Sequence, residues 1–109
     1  MTEEKYQELV NKIKDFLNTL PSFNYKGRGM NDGIWEMDDM IDLDHCPNGN
    51  STNGKFRVII YHDSLGVQAT IEFYPISVYE WVDVFVGHIP SFEFFKILIE
   101  ESFGIKKIN

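Results

Sequence analysis

The side chains best suited to proton transfer or nucleophilic attack are three histidines, His45, His62 and His88, and one cysteine, Cys46. A hydrolytic site needs a nucleophile, a base within hydrogen-bond reach and a third group that orients the base. His45 and Cys46 are sequence neighbours, and adjacent side chains rarely point at one another. They read as a surface imidazole and thiol in a turn. His62 precedes Asp63 at the end of an apolar-alternating segment, where an edge histidine is the plainer reading than a general base in a pocket. A small enzyme working through His62, Asp63 or His88 is therefore the least favoured class of function.

Metal and phosphate chemistry fare no better. The run Asp42-Leu43-Asp44-His45 places two carboxylates on one side of an extended chain beside an imidazole. A calcium loop would need a fixed ladder of oxygen ligands with a central glycine and a glutamate at position twelve. Here the chain continues Cys46-Pro47-Asn48, and the twelfth position from Asp42 is Asn53. Gly27-Arg28-Gly29 is too short, and lacks the following helix, to cradle a phosphate. The expectation is a chain with no cofactor and no metal.

What the sequence does concentrate is charge. Residues 32–44 hold six acids, Asp32, Glu36, Asp38, Asp39, Asp42 and Asp44, and no base, so they supply six of the seven net negative charges. Three readings follow. The acids guard an edge strand against pairing with other strands, they dock a basic protein partner, or they imitate the phosphates of a nucleic acid. Glu36, Asp38, Asp42 and Asp44 would form a linear row on an extended strand, where same-face residues recur about every 6–7 Å. Such a row would steer a positive partner and make binding salt-sensitive. A second candidate surface is the strip Tyr79, Trp81 and Phe85, since tyrosine and tryptophan favour binding hot spots.

These residues need elements to hold them. Tyr6, Leu9, Val10, Ile13, Phe16, Leu17 and Leu20 recur at helical spacing, with Thr2 placed to cap the helix and Pro21 to end it. Residues 22–33 read as a glycine-rich loop. Residues 34–44 fit a period of two better than a helix, with Trp35, Met37, Ile41 and Leu43 on one side, and a bulge fits near Asp38-Asp39. Residues 45–54 read as a polar loop. Residues 55–62 and 67–74 form a hairpin about Asp63-Ser64-Leu65-Gly66. The apolar pattern selects the register that pairs Phe56 with Phe73, Val58 with Ile71, Ile60 with Ala69 and Arg57 with Glu72, because a one-residue slip would exchange the two faces. A strand over 77–86 follows. Ser91 caps a last helix over Phe92–Phe103, whose apolar arc is wide enough to require deep packing, and Gly104 stops it.

The fold class is thus α+β: an N-terminal helix, a four-stranded antiparallel meander and a C-terminal helix, with both helices on one face of the sheet. At 109 residues one core and one domain, 1–109, are expected. A single cysteine excludes an internal disulfide. The charged N-terminus lacks a signal-peptide core, and no apolar run approaches the length of a membrane span, so a cytoplasmic protein is expected. Lysine, isoleucine and asparagine usage hints at a bacterial or phage source. The function expected is that of a non-enzymatic binding protein, such as an inhibitor, immunity or anti-defence factor. Its partner would be a protein with a basic surface, such as a nucleic-acid-processing enzyme, with no direct nucleic acid or membrane binding. The partner-binding residues would be Glu36, Asp38, Asp39, Asp42, Asp44, Tyr79 and Trp81. The alternative is a homodimer or larger homo-oligomer, a structural or accessory protein assembled through the aromatic strip.

Overall fold

In the computed structural model, residues 3–20, 23–27, 29, 31–43, 46 and 52–103 are described. Helix α1 spans Glu3–Thr19 and buries Leu9, Val10, Ile13 and Leu17, the stripe its spacing requires. Thr2 and Pro21, the expected cap and stop, lie outside the described residues. Strands β1 (Phe23–Tyr25), β2 (Gly33–Met37), β3 (Ile41–Asp42), β4 (Asn53–Asp63), β5 (Gly66–Pro75) and β6 (Val82–His88) follow, and helix α2, Phe92–Phe103, comes last.

Among the described residues the sheet is antiparallel, but it has six strands and not four. Its order is β1-β2-β4-β5-β6, with β3 also on β4. The chain at 22–33, read as loop, contains β1, which pairs Phe23 with Met37 and Tyr25 with Trp35. The single strand expected over 34–44 is two. β2 pairs with β4 from Gly33 to Glu36, and β3 pairs Ile41 with Gly54 and Asp42 with Asn53. The chain bends at Asp38-Asp39, where the adjacent carboxylates stay at the surface and Asp38 is held by β1 and the residue after it: Asn24 Nδ2 and Lys26 Nζ each donate to it at 2.6 Å.

The β4–β5 hairpin has the expected register, from Gly54 opposite Pro75 to Asp63 opposite Gly66. At its tip the Asp63 carboxylate accepts from the Leu65 N–H, and Gly66 takes φ 131°, a conformation that suits glycine. The last strand begins later than expected. Val78 and Tyr79 both donate to the Pro75 carbonyl, and this turn delays β6 to Val82. A bulge then interrupts the β5–β6 ladder at Ile71/Glu72, leaving Val84 as the extra residue of β6.

The core lies where alternate strand residues meet the helices. Phe56, Val58, Ile60, Ala69, Ile71 and Phe73 are fully buried there. Phe103 of α2 stacks on Phe23 at 5.2 Å between ring centroids and packs on Phe56 at 4.1 Å, while Phe16 of α1 meets Phe92 and Phe95 edge-on. Trp35 is fully buried and donates its indole N–H to Asn18 of α1 at 2.8 Å. Helix α2 buries Phe95, Ile99 and Phe103 and packs Phe92 and Leu98 against the core, while Phe94 and Ile97, 40% and 54% exposed, extend its apolar arc beyond what the core covers.

Candidate functional site

Two surfaces that sequence reading kept apart meet at one end of the sheet. Asp42 on β3 accepts a 2.6 Å hydrogen bond from the Asn53 side chain at the start of β4. The Asn53 carbonyl accepts from the Ile76 N–H at 3.0 Å, which fixes the turn after β5 at the same end of the sheet as β3, with β4 between them. One residue further along β4, Gly54 lies opposite Pro75, and a Cβ there would overlap the Tyr74 carbonyl oxygen and the Phe73 ring. Glycine permits this close approach. The turn carries Tyr79, and the chain re-enters the sheet through Trp81. Asp42, Tyr79 and Trp81, all expected partner-binding residues, therefore share one corner.

Tyr79 is the most telling of them. Its φ is +61°, in the left-handed region, and it is the only described non-glycine residue there. It closes the turn after β5, its N–H bonded back to the Pro75 carbonyl four residues earlier, a geometry in which the closing residue is usually glycine or asparagine. A bulky residue in this conformation stores strain. Yet its ring gains little burial, being 72% exposed.

Trp81 does not form a strip with Phe85. The β6 bulge separates them. Phe85 pairs with the buried Ile71 and contacts Phe94 of α2, whereas Trp81 packs edge-on against Tyr74 at 5.4 Å. Trp81 also lies under the Arg57 guanidinium at 4.1 Å, with the Lys55 ammonium 5.7 Å from its ring. This is a cation–π arrangement on the sheet face turned away from the core.

The acids are not a bare row. Glu36 lies within 3.6 Å of Lys55 and 3.8 Å of Arg57, and the Arg57 Nε–H donates to Glu72 at 2.8 Å. Asp38 holds Lys26, whose ammonium is kept charged above its ordinary range chiefly by that hydrogen bond. Asp39 and Asp42 are exposed at the bend and on β3. Asp44, and His45 of the considered metal cluster, lie outside the described residues. Among the described residues no three His, Cys, Asp or Glu side chains are grouped to hold a metal ion.

Of the two described histidines, His62 is engaged by two carboxylates and His88 lines a separate groove. His62 Nδ1 lies 2.7 Å from Asp32 and Nε2 lies 2.7 Å from Glu3. The hydrogen bond with Asp32, then that with Glu3, raises its pKa above the ordinary value. Both ring nitrogens donate in the imidazolium form, which has no lone pair with which to accept a proton. The Asp63 carboxylate is occupied by the Leu65 N–H and the Gln68 amide. A groove lined by Tyr6, Leu65, Val67, His88, Ile89 and Pro90 includes His88 but neither of the other two.

The counter-charges were missed because their strands had no assigned neighbour. Arg57 opposite Glu72 was legible from the hairpin, but Glu36 beside Arg57 needed the β2–β4 pairing. Nothing in Pro75-Ile76-Ser77-Val78-Tyr79 signals a left-handed tyrosine. No protein-family description, curated protein or solved structure matches the chain.

Proposed function

We propose that this chain is a non-enzymatic protein-binding domain whose corner of Asp42, Tyr79 and Trp81, with Asp39 at the bend before β3, engages a partner with a basic surface. The single observation that carries the reading is Tyr79, held in a strained left-handed conformation with its ring in solvent. Strain at an exposed aromatic points to a use for the ring outside the fold. In this reading both helices cover one face of the sheet, and the corner opens beside the other face. Asp39 and Asp42, which pair with no cation among the described residues, add an electrostatic component, which attracts a positive partner over a Debye length of about 10 Å at 0.1 M salt. Phosphate mimicry is the weaker form of the idea, because Glu36 and Asp38 already carry cationic partners.

The test is affinity capture from a lysate of the source organism, at about 0.05 M and about 0.5 M salt. The expected result is a protein retained by the native chain at low salt, reduced at high salt, and lost on Tyr79→Gly or on Asp39→Asn with Asp42→Asn. Equal retention by the native chain and both variants overturns the proposal.

A further inference from the structure

The sheet ends on β6, whose outer edge pairs with no other strand among the described residues. Ile89 donates its N–H to the Val67 carbonyl at 2.8 Å, and the register runs on through Gly87 opposite Ala69 and Phe85 opposite Ile71. Bonded and non-bonded pairs alternate in an antiparallel ladder. Val86 and His88 therefore turn their backbone N–H and C=O groups away from β5. The strand contains no lysine, arginine or proline to guard this edge. Apolar side chains flank it on both sides. Val86 is 57% exposed on the face away from the core, and on the helix side Phe94, which contacts Phe85, and Ile97, three residues along α2, are exposed.

The charge around the edge is one-sided. Residues 76–103 contain five acids and one base. Glu80, Asp83, Glu93 and Glu101 are exposed, whereas the base, Lys96, is half-buried with its ammonium 5.8 Å from the Phe92 ring. A second copy of the chain would bring this excess of acids against itself, which disfavours self-pairing.

We infer that the β6 edge accepts an extended segment of another protein, in which apolar residues alternate with lysine or arginine, as an added antiparallel strand. Backbone bonds from Val86 and His88 hold it. Alternation puts its apolar residues on one face, over Phe94 and Ile97, and its basic residues on the other, where their aliphatic stems cover Val86 and their charges meet Asp83. The bulge at Val84 confines regular pairing to Phe85–His88, so a short segment suffices. The inference rests on β6 and α2 and does not require the Tyr79 corner.

The probe is a capped ten-residue peptide alternating valine and lysine, with an analogue N-methylated at alternate residues that keeps the side chains but loses the backbone donors. Binding is followed by fluorescence anisotropy, and amide hydrogen exchange is read at Val86 and His88. The expected result is at least tenfold slower exchange at both amides with peptide, and at least tenfold weaker binding of the N-methylated analogue and of the Val86→Lys variant. Asp39→Asn with Asp42→Asn leaves the peptide affinity unchanged, which separates this site from the corner. The inference is overturned by equal binding of the N-methylated analogue, by no protection at peptide concentrations up to about 1 mM, or by a free protein that sediments as a dimer with both amides already protected.

Discussion

Replacing His62 by glutamine removes an imidazolium that ties the first turn of α1 to the turn before β2. The ring is 16% exposed and Asp32 is 20% exposed, so their hydrogen bond is shielded from solvent. A hydrogen bond involving a charged group contributes about 1.5–3 kcal/mol. The bond to Glu3 adds at most about 1 kcal/mol, because Glu3 is 73% exposed and its charge is screened. His62→Gln should therefore cost about 3 kcal/mol where the imidazolium is populated. The folded pKa is raised above the unfolded value of 6.5. The contribution is thus complete below about pH 6.5 and is lost as pH rises through the folded pKa, with a slope of at most about 1.4 kcal/mol per pH unit for one extra proton in the native state. Urea unfolding of the native chain and His62→Gln, from about pH 5.5 to about pH 9, reads the difference directly. That difference should be largest at the acid end and shrink as pH rises, while His88→Gln leaves it intact. A difference that is constant with pH, or that grows toward alkaline pH, refutes the reasoning.

Two further outcomes follow from backbone geometry. Tyr79→Gly should change stability by less than about 1 kcal/mol, since relief of about 1–2 kcal/mol of left-handed strain is offset by unfolded-chain entropy and the buried part of the ring. Tyr79→Val, β-branched at positive φ, should be about 1–2 kcal/mol less stable than the glycine variant in the same urea titration. Stability of the valine variant equal to that of glycine would show that φ at this position relaxes. Gly54→Ala should lower stability by about 1–3 kcal/mol, because the new Cβ meets the Tyr74 backbone carbonyl and the Phe73 ring, and the carbonyl cannot rotate aside. A neutral result would mean that the β4–β5 ladder separates there without penalty.

How much of this was readable depended on how local each interaction is. The α1 stripe, the span of α2 and the β4–β5 register all came from periodicity within 8–20 residues, and each is found. β1 was not readable because a three-residue strand has no period of its own and exists through its pairing with β2. The 34–44 segment has strand alternation at both ends, but only β4 shows that these ends are separate strands joined by a bend. The acidic row looked bare for the same reason. Its counter-charges, Lys26, Lys55 and Arg57, come from other parts of the chain and meet Glu36 and Asp38 only across strand pairs.

By itself, the sequence determined the α+β class, the two helices, the central hairpin with its register, and the confinement of negative charge to one segment. Each rests on side-chain pattern and chain-local chemistry. Only the tertiary structure decided that Asp42, Tyr79 and Trp81 lie at one corner of the sheet, that His62 is clamped between Glu3 and Asp32, that Trp81 and Phe85 part at a bulge, and that no described strand pairs the outer edge of β6. Those facts depend on which strand lies beside which, and on a backbone conformation at Tyr79 that its residue type disfavours.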